Sequence, residues 1–131
     1  MKKLACIFLA FMGFSQASAQ NLVGEAVVLR ALDKVTAITK DFTVNVGDSL
    51  NYGSLRVDVK HCEKRPPEDI PEAYVFVQIF DNKFDDKTQS RTEVKVFSGW
   101  MLKSNPAMSA LDHAVYDIWV IGCQASEQTE N

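Results

Sequence analysis

From Val27 onward the chain breaks into short apolar runs separated by polar turn residues, which predicts strands rather than helices. The first run covers residues 27–32, and a second, 35–39, follows Asp33-Lys34. Phe42, Val44 and Val46 then alternate with Thr43 and Asn45 until Gly47-Asp48 closes the run as a turn. Leu55, Val57 and Val59 alternate with Arg56, Asp58 and Lys60, a strand with one buried and one wet face. Residues 74–80 are apolar on both parities and read as a central strand covered on two sides, followed by a polar hairpin end over 81–91. Residues 92–102 form another strand, with Gly99 marking a bend or close backbone approach. Asn105 and Pro106 can open a short helix that presses Met108 and Leu111 onto the sheet, and 114–122 is the last strand. About seven short strands and one short helix predict an all-β domain, an antiparallel β-sandwich or partly open barrel.

The first 19 residues do not belong to that pattern. Lys2 and Lys3, an apolar run from Leu4 to Phe14 and the small residues Ala17-Ser18-Ala19 are the marks of a cleavable secretory signal. Cleavage after Ala19 leaves a lead-in over 20–26, a single domain over 27–123 and a polar tail over 124–131, exported to the periplasm. Of the three cysteines, Cys6 falls in the leader, so Cys62 and Cys123 remain to form one disulfide. Strict alternation opposes that pairing, because Cys62 falls on the polar side with Lys60. A bulge or a strand end at residues 60–62 is needed to turn it inward.

Losing Lys2 and Lys3 takes 14 basic residues to 12 against 17 acidic ones, a formal charge of −5. Such a balance opposes nucleic-acid and anionic-membrane partners, and no later stretch is long enough to span a bilayer. Between the predicted strands, residues 63–72 (EKRPPEDIPE) carry three prolines and form a stiff, extended loop.

Chemistry is thinly represented. His61, Cys62, His113 and Cys123 can be drawn together as a metal site, but oxidised cysteines with hydrogen-bonded histidines are the preferred reading, and no cofactor is expected. His113 and Asp117, four apart on one strand, lie roughly 13 Å from each other and are no acid–base pair. Ser104 and Ser109 near His113 lack an activating turn. Asp81, Asp85 and Asp86 lack the spacing of a calcium loop and read as a solvated hairpin. Glu68, Asp69 and Glu72 offer one wall of an enzyme cleft, although loop charges beside Lys64 and Arg65 read more naturally as solvated. A candidate binding surface gathers Trp100 and Met101, beside the turn at 103–106, with Arg65, Glu72 and Asp117. Asp117 is an acid on an otherwise apolar face and is expected to accept hydrogen bonds from the loop carrying Arg65.

The segments CEKRPPEDIPEAYVFVQI and VFSGWMLKSNPAMSALDHAVYDIWVIGC, with ALDKVTAITKDFTVNVGDSLNYGSLRV more weakly, resemble an exported alphaproteobacterial family, domain of unknown function 2155. The residues that carry the resemblance are Cys62, Pro66, Pro67, Pro71, Glu72, Gly99, Trp100, Met101, His113, Tyr116, Asp117, Trp119 and Cys123. Ala114 departs from the family's His-Pro. The resemblance implies an exported protein of a Gram-negative envelope and no catalytic role. Together these features predict a binding or envelope accessory domain whose partner is a periplasmic protein or an envelope component.

Overall fold

The computed structural model describes residues 20–126. Residues 1–19, expected to be a secretory signal, and the last five residues lie outside them. Eight strands run in chain order: β1 (Leu22–Val23), β2 (Ala26–Asp33), β3 (Ile38–Asn45), β4 (Ser49–Tyr52), β5 (Leu55–Lys64), β6 (Ala73–Asp85), β7 (Ser90–Leu102) and β8 (Tyr116–Gln124). A single 3-10 turn, Pro106–Ser109, sits between β7 and β8. All pairings are antiparallel and divide into two sheets, one ordered β1-β5-β6-β7 with β4 also on β5, the other β3-β2-β8.

The expected all-β architecture is therefore an open sandwich. Its core comes from the inward parity of each strand: Val27, Leu29 and Ala31 on β2; Leu55, Val57 and Val59 on β5; Val75, Val77 and Ile79 on β6; Ile118 and Val120 on β8. Burial of these side chains supplies the main drive to fold, at about 25 cal/mol per Å² of apolar surface removed from water.

Several details differ from the pattern-based reading, and one is that the turn Pro106–Ser109 leaves Met108 69% exposed instead of pressing it onto the sheet. Residues 34–37 form a turn, not a strand: Asp33 Oδ1 accepts the amides of Val35 (2.8 Å) and Thr36 (3.3 Å), and Ala37 takes a left-handed φ of 58°. A carboxylate that satisfies amides two and three residues on outcompetes strand pairing there. The two runs on either side of residue 40 then become one strand, β3. Residues 81–91 are mostly strand as well, and only 86–89 turn, where Asp85 Oδ1 accepts the Lys87 amide at 2.8 Å. β4 has too little apolar alternation to stand out, and it exists because Leu50 and Tyr52 face the core from the edge of β5. Finally, β6 is central but covered on only one side: Tyr74, Phe76 and Phe80 remain half-exposed.

The conflict at Cys62 resolves through a bulge. Val59 pairs with Val77 and His61 with Phe76, so Lys60 is left over and every later side chain on β5 changes face. The same device acts on β8, where Val28 pairs with Gly122 and Leu29 with Val120, leaving out Ile121. Each cysteine lies two residues beyond a bulge, and both turn inward to form the Cys62–Cys123 disulfide that joins the two sheets, with Cα atoms 6.0 Å apart.

Candidate functional site

Two regions gather polar and aromatic side chains at fixed geometry. The first closes one end of the sandwich around Asp81, which is only 2% exposed. Extending the buried parity of β6 (75, 77, 79) by one step reaches Asp81, so this carboxylate, expected in a solvated hairpin, is instead the last inward residue of the strand. Its Oδ2 lies 2.9 Å from His113 Nε2 and 3.7 Å from Lys83 Nζ. His113 Nδ1 accepts the amides of Val115 (3.0 Å) and Tyr116 (3.1 Å), which places the ring proton on Nε2, donating to Asp81. Both ring nitrogens are thus occupied. Burial opposes charge on Asp81, but the nearby Ser54 hydroxyl, His113 and Lys83 outweigh it and hold the carboxyl below its ordinary range. The Ser54 hydroxyl favours that charge without completing a hydrogen bond to Oδ1, which is left without a partner. An aromatic chain continues from His113, stacked on Tyr116 at 5.4 Å, to Tyr52 and Phe42. This end is a clasp: it ties the segment before β8 to β6.

The second region lies at the opposite end of β6, on the solvent side of the larger sheet. Cross-strand register sets Glu63, Tyr74 and Leu102 in one row, His61, Phe76 and Trp100 in the next, and Arg56, Phe80 and Lys95 further along. Trp100 is 45% exposed and meets His61 and Phe76 edge-on at 5.9 and 5.4 Å. Arg56 covers the Phe80 ring at 4.5 Å. His61 pairs with Glu63 at 2.9 Å.

At the end of the first row the proline loop begins. Arg65 Nε and Nη2 both donate to the Tyr74 hydroxyl, at 3.2 and 3.0 Å, and the Arg65 amide bonds the Glu72 carbonyl at 3.1 Å, closing the loop on itself. Glu72 holds it to the turn after β7: its carboxylate accepts the Ser104 amide at 3.1 Å, the Ser104 hydroxyl, and its neighbour Ala73's amide at 3.0 Å. Burial raises its pKa, while these three donors and, to a lesser degree, the Arg65 charge lower it and prevail.

Of the five residues expected at a binding surface, Arg65 and Glu72 share this loop and Trp100 stands nearby on the same sheet. Met101 does not join them. It is 3% exposed, because the alternation that turns Trp100 outward turns Met101 into the core. Asp117 is also elsewhere. It pairs with Lys34 at 3.1 Å, half-exposed, and receives nothing from Arg65. The reason is length: six residues of strand, roughly 20 Å, separate it from Cys123 and the loop. His61 and His113 lie at different ends of β6, each on its own carboxylate, and among the described residues no three His, Cys, Asp or Glu side chains converge as metal ligands.

Residues 27–123 match the family model described as an uncharacterized protein conserved in bacteria, DUF2155. The chain belongs to this family. The matched span runs from the second residue of β2 to Cys123, so the DUF2155 unit is the disulfide-joined sandwich itself. The chain is similar to the uncharacterized protein RP359 of Rickettsia prowazekii (strain Madrid E), 25% identical over 93 residues, covering 71% of this chain and 57% of that protein. It thus spans little more than half the length of that relative. No solved structure matches.

Proposed function

We propose that this DUF2155 chain is an exported periplasmic β-domain that acts by binding a periplasmic protein or an envelope component, rather than by catalysis. The observation that carries the reading is the solvent side of the larger sheet, where Tyr74, Phe76, Phe80 and Trp100 stand in registered rows with no second layer over them among the described residues. Aromatic side chains bounded by charged ones are the composition of recognition surfaces. The engagement of both His113 nitrogens also supports binding, because the most buried acid–histidine pair has no nitrogen left to take a proton from a substrate. The signal-like pattern of residues 1–19 supports export.

A photoreactive residue placed at Trp100 tests the binding face, with Thr43 on the exposed side of β3 as the control. Crosslinks in intact cells from position 100 and none from position 43 are expected. Equal yields from the two positions, or none from position 100, refute the face. Export is checked separately by the mass of the purified chain, which should begin at Gln20.

A further inference from the structure

Beneath the proline loop lies a cavity of about 350 Å³, walled by Pro66, Pro67 and Pro71 and floored by the backbone at Gly122–Cys123. Three cations rim it: Lys64, Arg65 and Lys103. That concentration is unexpected in a chain of net charge −3. Elsewhere among the described residues Arg30, Lys34 and Arg56 each reach a carboxylate, at 2.7, 3.1 and 3.0 Å, while Lys40, Lys60, Lys87, Arg91 and Lys95 stand outside any ion pair but do not line this cavity. Among the described residues, none of the three cavity cations forms an ion pair.

Neither rim carboxylate, Asp69 or Glu72, forms an ion pair with them, although the Arg65 charge lies near enough to help lower the pKa of Glu72. Glu72 is turned to Ser104 and Ala73, which satisfy it with three donors. Asp69 stands exposed at the loop tip, its amide bonded to the Pro66 carbonyl at 3.0 Å. Arg65 is held by neutral groups alone: two nitrogens on the Tyr74 hydroxyl and Nη1 at 3.5 Å from the Ile70 carbonyl. Lys103 is fixed at its backbone, its amide donating to the Ala73 carbonyl at 3.0 Å. Three cationic residues line one cavity; the backbones of Arg65 and Lys103 are tied by cross-loop hydrogen bonds, and the Arg65 guanidinium is oriented by neutral partners. Such pre-organisation lowers the ordering cost of binding, and a fixed guanidinium beside lysines is the chemistry that captures carboxylate and phosphate oxygens.

We propose that this cavity binds a compact oxyanion, a carboxylate or a phosphate, borne by the ligand that this domain recognises. The proposal deepens the binding reading by giving the ligand an acidic group, placed where the row of Tyr74 and Leu102 runs out.

The test is an NMR titration of nitrogen-labelled protein, purified from cells expressing the full chain. The probes are N-acetyl-alanine, its uncharged amide and inorganic phosphate. Saturable shifts at the Ala73, Lys103 and Gly122 amides with an anion, and none with the uncharged amide, are expected. The acid alone acting assigns a carboxylate ligand, and phosphate alone acting assigns a phosphorylated one. Lys103→Gln, which leaves the Arg65–Tyr74 contact in place, should weaken binding about tenfold, and Arg65→Gln by at least as much. The proposal is overturned if neither anion shifts these amides, if the uncharged amide shifts them equally, or if both variants bind like the parent. Loss of the cavity signal while crosslinking at position 100 persists would retire the anion site and leave the binding face standing.

Discussion

His113 Nε2 lies 2.9 Å from Asp81 Oδ2, and across that contact the segment leading into β8 is tied to the end of β6. The two residues are 32 apart in sequence, and their side chains are 10% and 3% exposed. Nothing else buried in the described sandwich carries a charge. Because His113 also caps the amides of Val115 and Tyr116, one ring orders the turn before β8 and compensates the carboxylate.

Replacing His113 with alanine leaves Asp81 buried without its main donor. A loss of about 2 kcal/mol is expected, in the range for depriving a buried carboxylate of a hydrogen bond. Replacing both residues, with Asp81→Asn and His113→Ala together, should cost less than the sum of the two single changes. Urea unfolding of the three variants checks this, and additive losses would show that the two side chains do not act as a pair.

The same carboxylate sets an acid response. The folded-state pKa of Asp81 is lowered from 3.8, so the stabilisation it contributes is fully present above that value and is lost as pH falls through the lower folded value. Asp81→Asn should therefore be less stable than the parent at neutral pH, and the gap should narrow below about pH 4. Unfolding midpoints measured from neutral to strongly acidic pH follow it; a gap that stays constant would contradict the linkage.

The Cys62–Cys123 bridge closes a loop of 61 residues' separation. Restricting the unfolded chain in this way contributes about 4 kcal/mol in the loop-entropy model. Cys62→Ala with Cys123→Ala should lose stability on that scale in denaturant melts. Peptide mapping without reductant should recover the two cysteines as one linked species.

Gly24 packs against both sulfurs of that bridge, and a Cβ there would collide with each of them. Gly24→Ala should therefore lower the melting temperature sharply, although residue 24 lies in the short lead-in and outside the matched family span. The cost should fall in the disulfide-free double variant, where the sulfurs are gone. Differential scanning calorimetry of the four combinations decides it. An equal cost in both backgrounds would place the strain elsewhere.

Much of this molecule is legible in its residues. Alternation at 55–59 determines which side chains point inward, because a strand's period of two sends successive residues to opposite faces, whereas 74–80 is apolar on both parities and only the sheet's one-sided packing decides that Val75, Val77 and Ile79 are the inward set. Cys62 and Cys123, the two cysteines of the family-matched span, make the disulfide legible, and three prolines determine a loop that cannot join a central strand. What alternation cannot carry is a change of face. The bulges at Lys60 and Ile121 depend on which strand lies alongside, and only pairing to β6 and β2 turns both cysteines inward. Burial beyond the visible run has the same origin: Asp81 is inward because β6 continues past Phe80, still paired with β7 after a register shift between Ile79 and Phe80, and Met101 shares the inward parity of Phe97 and Gly99. The gathering of Lys64, Arg65 and Lys103 is tertiary in full. Those residues come from two segments that meet because Ala73 bonds Lys103 and Glu72 bonds Ser104, contacts between positions about thirty residues apart that no local pattern encodes.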